Sequence, residues 1–136
     1  MIGAEKLKML LTDGVTCVLS DGETVFKSCE RGIKPLLKFI ESGRNFENFS
    51  AADKIVGKAS AFLYAYMGVK ELYACVASFG AAEVCKKYGV TLYYETLAER
   101  IINRKGDDTC PMEKAVAGVD DPVKAKAVLE EKLKNL

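Results

Sequence analysis

Apolar positions along the chain fall into two kinds of short run, one spaced as a helix face and one continuous and β-prone. Leu7, Leu10 and Leu11 recur at helical spacing with Gly14 as a stop, which predicts a short first helix. Residues 15–19 and 24–28 are β-prone and are separated by Ser20-Asp21-Gly22-Glu23. An Asp-Gly pair between such runs predicts a hairpin, because its turn needs positive φ. Ile33, Leu36, Leu37 and Ile40 mark one face of a second helix, with Pro35 in its first turn and Gly43 at its end.

Further along, Ser50-Ala51-Ala52-Asp53 reads as the capped start of a longer helix. Its apolar stripe is Ile55, Val56, Ala59, Phe62, Leu63, Tyr66 and Met67, and Gly68 ends it. Residues 71–77 read as a buried strand, 79–88 as a helix closed by Gly89, and 90–94 as another strand. A helix between two strands suits a right-handed crossover and a parallel pair. Thr96-Leu97-Ala98-Glu99 reads as a capping box opening a helix toward Asn103. Cys110-Pro111-Met112-Glu113 opens another, and Asp121-Pro122 starts a terminal helix with Ala125, Val128, Leu129 and Leu133 on its apolar face. The order α-β-β-α-α-β-α-β-α-α-α predicts an α/β fold, a mixed sheet with an N-terminal hairpin covered by helices, as one domain over residues 1–136.

Composition narrows the chemistry more than the fold. The 136 residues contain no histidine, which removes Ser-His-Asp and Cys-His nucleophile activation and His-ligated metal sites. A net charge of +1, from 20 basic and 19 acidic residues, gives no global pull toward a nucleic acid polymer or an anionic membrane. Cys17, Cys29, Cys75, Cys85 and Cys110 contain no C-x-x-C pair. There is no apolar leader at the N-terminus, and the longest apolar run, residues 59–69, is far short of the roughly 20 residues that span a bilayer. A cytoplasmic protein with reduced thiols is the expectation.

Asp53-Lys54-Ile55-Val56-Gly57-Lys58-Ala59, Ile102-Asn103-Arg104 and Cys110-Pro111-Met112-Glu113 together resemble a bacterial family of unknown function with the cytidine-deaminase-like fold. The resemblance covers nearly the whole chain and implies a three-layer α-β-α architecture. Zinc deaminases hold their metal with a His or Cys on a central helix and two cysteines opening the next, with a glutamate moving protons. By element order those positions fall near Val56-Gly57-Lys58 and Ser78-Phe79-Gly80-Ala81-Ala82, which offer no zinc ligand. Lys58 stands where the carboxylate would be. The resemblance therefore implies the fold without metal, cofactor or zinc-activated hydroxide.

Three groups of residues could carry other chemistry. Lys54 and Lys58 are placed on one helical face near a helix start, where N–H groups and the dipole favour an anion; Gly57 lies between them, and Asp53 is an internal counter-charge. Cys110 is a helix cap whose thiol feels the dipole, with Glu113 either opposing a thiolate or closing a capping box onto Cys110. Asn103 and Arg104 end a helix, and Arg104 could clamp a carboxylate or phosphate. The six tyrosines read as core or core-edge residues. The leading expectation is a binder of an anionic small molecule, nucleotide- or nucleoside-like by analogy with the fold, using Lys54, Gly57, Lys58, Asn103, Arg104 and Glu113. Two readings stay open beside it: a metal-independent enzyme using Cys110, or Lys58 aided by Asp53, and an interaction module that has lost catalysis. Near-zero net charge also leaves self-association open.

Overall fold

The computed structural model describes residues 3–103 and 105–135. A short helix, α1 (Ala4–Leu7), continues into a 3-10 turn over Lys8–Leu10. The hairpin follows as β1 (Cys17–Ser20) and β2 (Val25–Ser28), antiparallel from Cys17↔Ser28 to Ser20↔Val25. Gly22 supplies the expected positive φ of 100° in its turn, and Asp21 Oδ1 accepts from the backbone N–H of Glu23 and Thr24. Helix α2 (Lys34–Glu41) has Pro35 in its first turn.

Residues 50–56 depart from the sequence expectation. They form strand β3 (Ser50–Val56), and the helix begins only at Lys58, as α3 (Lys58–Met67). The remaining elements are β4 (Glu71–Ser78), α4 (Phe79–Tyr88), β5 (Thr91–Ala98), α5 (Pro111–Ala115) and α6 (Pro122–Lys134). The expected helix from Thr96 toward Asn103 is absent. Strand β5 continues to Ala98, pairing Val76↔Thr96 and Ser78↔Ala98, and an irregular loop with one Ile102↔Thr109 bridge follows. The element order is thus α-β-β-α-β-α-β-α-β-α-α.

The five strands form one mixed sheet in the order β2-β1-β3-β4-β5. Strand β3 is its centre, antiparallel to β1 (Cys17↔Asp53) and parallel to β4 (Ser50↔Glu71 to Val56↔Ala77). The two strand–helix–strand units, β3-α3-β4 and β4-α4-β5, give the parallel half. Helix α3 is buried along most of its length, at Ala59, Ser60, Ala61, Phe62, Leu63, Tyr64 and Met67. It packs against α2, α4 and α6 on one side of the sheet, over a core that includes Leu19, Leu36, Leu72 and Leu129. On the opposite side α1 sets Ala4 and Leu7 on Val18, Ala52 and Tyr73, with Leu10, Leu11 and Val15 packed against them. Tyr64 and Tyr73 are buried, whereas Tyr66, Tyr93 and Tyr94 are exposed. Among the described residues no helix is long and apolar enough to cross a membrane.

Candidate functional site

The strand β3 carries a lone carboxylate, Asp53, into the interior. Its neighbours Ala51, Ala52 and Val56 are fully buried, and Asp53 itself is 7 % exposed. Tyr64, two turns into α3, donates its hydroxyl to Asp53 Oδ2 at 2.7 Å, and the Ile55 N–H points at Oδ1 from 3.3 Å. Cys17 of β1 sets its Sγ 3.3 Å from the same phenol oxygen. Because the phenol proton is committed to Asp53, the thiol donates in turn, giving a chain from Cys17 through Tyr64 to Asp53. Burial raises Asp53 to about 7 against the lowering effect of the Tyr64 and backbone hydrogen bonds. Burial and the Asp53 charge both push Tyr64 and Cys17 upward, so these two stay protonated.

Asp53 lines a cavity of about 1590 Å³ that opens at the carboxyl end of β3. Thr16, Cys17 and Cys29 come to it from the hairpin side, Ala59 and Ser60 from α3, and Cys110 and Glu113 from the far wall. Lys54 and Asn103 line it too, so most of the residues singled out from the sequence face one space. Lys58 does not line it. Its Nζ donates to the Ala117 carbonyl at 3.0 Å and lies over the Phe62 ring, which turns it away as a base or anion ligand in this cavity. Arg104 lies outside the described residues.

Two local readings of this region are corrected by the same fact, the break between β3 and α3. Lys54 sits on a strand and Lys58 begins the helix, so they share no helical face. Asp53 forms no ion pair with either lysine. The α3 N-terminus is also already filled. Glu113 of α5 accepts from the backbone N–H of Lys58 at 2.7 Å and of Ala59 at 2.8 Å. It thus caps α3 across the fold, not Cys110 of its own helix. Gly57 is the helix cap, and any Cβ there would lie 2.2 Å from Glu113 Oε1. Glycine stands at this position because a carboxylate occupies the space a side chain would need. Burial raises Glu113, opposed by the two N–H donors and by Lys58.

Cys110 is the N-cap residue of α5 by backbone position, and its side chain makes no capping hydrogen bond. Asn103 is used by its own loop: its Oδ1 accepts from Gly106 N–H at 2.8 Å and its Nδ2 donates to Asp107 at 2.9 Å. Tyr64, Cys17 and Ser60 escaped the sequence reading. The signal for them was weak but present, a single carboxylate inside the apolar run from Ala51 to Val56, which must find a buried donor if that run is a strand.

The family model for TM1506, a domain of unknown function (DUF1893), matches residues 5–133. The chain belongs to the DUF1893 family. The crystal structure of a DUF1893 family protein, TM1506 from Thermotoga maritima, superposes with a TM-score of 0.83 at 26% sequence identity, covering 97% of this chain and 88% of that one. No curated protein matches the chain. In this DUF1893 chain Val56-Gly57-Lys58 and Ser78-Phe79-Gly80-Ala81-Ala82 meet, since a Cβ on Gly80 would lie 3.3 Å from Lys58 Cβ. They bring a lysine, a serine, two glycines and the apolar Val56, Phe79, Ala81 and Ala82. Among the described residues no three Cys, Asp or Glu side chains form a group able to hold a metal ion.

Proposed function

We propose that this DUF1893 chain is a small-molecule-binding domain of cytidine-deaminase-like architecture that works without zinc, with a nucleoside- or nucleotide-like ligand seated in the Asp53 cavity. The observation that carries the reading is the position of that cavity. It lies outside the carboxyl end of β3, where the sheet changes from an antiparallel to a parallel neighbour, and open α/β sheets bind ligands at such points. The strand order with a leading hairpin and two strand–helix–strand units supports the architecture.

The anion-binding part of the reading moves from the helix start to the rim. Glu113 holds the α3 N–H groups, so a ligand phosphate would meet Lys54 and the other described lining cations, Arg31, Lys34 and Lys105, instead. Ile55 and Ile102 line the same cavity and are 53% and 43% exposed, which offers apolar surface to a ring. The enzyme alternative loses Lys58, and Cys110 is the nucleophile it retains.

A thermal-shift panel of nucleosides, nucleoside 5′-monophosphates, phosphate and sulfate tests this on wild type and Lys54→Ala. Lys54 is exposed, so its replacement leaves the core intact. Saturation at a hundred times the dissociation constant adds roughly 2.7 kcal/mol, a shift of several degrees. A shift with nucleosides that strengthens with a phosphate, and whose phosphate-dependent part is lost in Lys54→Ala, supports the reading. A flat panel removes it.

A further inference from the structure

The central buried acid has fewer partners than a carboxylate needs. A carboxylate offers about four lone-pair sites, and the hydrogen bonds at Asp53 come from Tyr64 Oη and the Ile55 N–H. Among the described residues it forms no ion pair. Cys17 on β1, Tyr64 on α3, Cys75 on β4, and Cys110 and Glu113 across the cavity on and before α5 bring it no positive charge, and the described cations that line the cavity, Arg31, Lys34, Lys54 and Lys105, form no ion pair with it. Lys54, the next residue on β3, is exposed at the rim of the same cavity. A carboxylate buried without an ion pair is costly, and Asp53 lines the cavity.

The geometry points to Asp53 as the anchor for an amidine- or guanidine-like nitrogen group of a ligand, a planar cation whose N–H donors complete the carboxylate in the cavity wall. Such a group supplies both the missing charge and two parallel donors, the arrangement that pairs best with a carboxylate. Among the described residues Asp53 belongs to no group of three Cys, Asp or Glu side chains placed to hold a metal ion. The inference rests on reading the cavity as a ligand site and adds the chemistry of the ligand group that enters deepest. Binding of the cation is linked to ionisation of Asp53, so it releases a proton wherever the free protein holds one.

Benzamidine tests this by isothermal titration at pH 6 and pH 8, either side of the Asp53 value of about 7, with benzamide as the neutral control of the same shape. The expected result is binding of benzamidine and not benzamide, about tenfold weaker at pH 6 than at pH 8, with close to one proton released at pH 6. Proton release is read by repeating the titration in buffers of different ionisation enthalpy. Asp53→Asn keeps the shape and an acceptor for Tyr64 and should abolish both binding and the pH effect. If that variant does not fold, the wild-type pH series and the benzamide control still decide. No benzamidine binding, equal affinity at the two pH values, or equal binding of benzamide overturns the inference. Nucleoside binding without benzamidine binding overturns it while the proposed function stands, and benzamidine binding with a flat nucleoside panel does the reverse.

Discussion

Asp53 holds its proton more tightly in the folded chain than an unfolded aspartate does, because burial lifts it to about 7 from an ordinary value near 4. The sign of its effect on stability follows. A raised carboxyl value contributes stability that is full below about pH 4 and is lost as the pH rises through about 7. Urea unfolding of wild type minus Asp53→Asn isolates this contribution. The wild type should lose stability relative to the variant between pH 5 and pH 8, by an amount on the order of 2 kcal/mol. A constant difference across that range would show that Asp53 is not buried as described. Tyr64→Phe removes the donor to Asp53 and the acceptor for Cys17 together. It should cost about 1–3 kcal/mol, and more at pH 8, where the carboxylate is charged, than at pH 5.

At the scale of elements, the contact that organises the site joins a five-residue helix to the start of a buried one. Glu113→Ala leaves the N–H groups of Lys58 and Ala59 without their acceptor and should cost about 1–2 kcal/mol. Gly57→Ala drives a methyl into the same carboxylate and should cost a similar amount while displacing it. Because both act on one contact, the double variant should fall short of the sum by about 0.5–2 kcal/mol in chemical unfolding. Strict additivity would place Glu113 elsewhere. The sequence hides this contact because the partners are 54 and 55 residues apart, whereas a capping box is read three residues away.

The same scale explains which elements were legible. The hairpin, the β4-α4-β5 unit and α6 were readable because local chemistry and tertiary context agree there. Asp21-Gly22 makes the turn, Gly89 closes α4, and Asp121 caps α6 by accepting from Val123 and Lys124 N–H. Residues 50–56 were not, because Ala51 and Ala52 are small enough for a helix and a central strand buried on both faces shows no alternation. The β-branched pair Ile55-Val56 before Gly57 was the local evidence for a strand end, and it was outweighed by the apolar stripe that runs on into α3. Thr96-Leu97-Ala98-Glu99 has a capping-box pattern, yet pairing with β4 offers those residues a full ladder that an isolated helix turn cannot match.

Across the whole molecule, β3 delivers Asp53 to the point where α3, the hairpin and the α5 wall leave a cavity between them. Asp53, Lys54, Asn103, Cys110 and Glu113, picked from three separate stretches of sequence, meet there, although the partners and roles of Asp53 and Glu113 differ from those expected. The match to the Thermotoga maritima DUF1893 protein over nearly the whole chain extends the same architecture to the family. What the sequence lacked was the third dimension of one strand; with β3 in place, the carboxylate, its tyrosine and the opposite wall follow from the packing of α3.

The most direct measurement is a ¹⁵N–¹H correlation titration of the intact chain with the four nucleoside 5′-monophosphates. Ligand binding in the cavity predicts shifts concentrated at the amides of residues 53–60, 101–103, Cys110, Met112 and Glu113, with α1 and the exposed face of β5 undisturbed. Shifts confined to α1 or β5, or none with any of the four, would contradict the assignment of this cavity as the functional site.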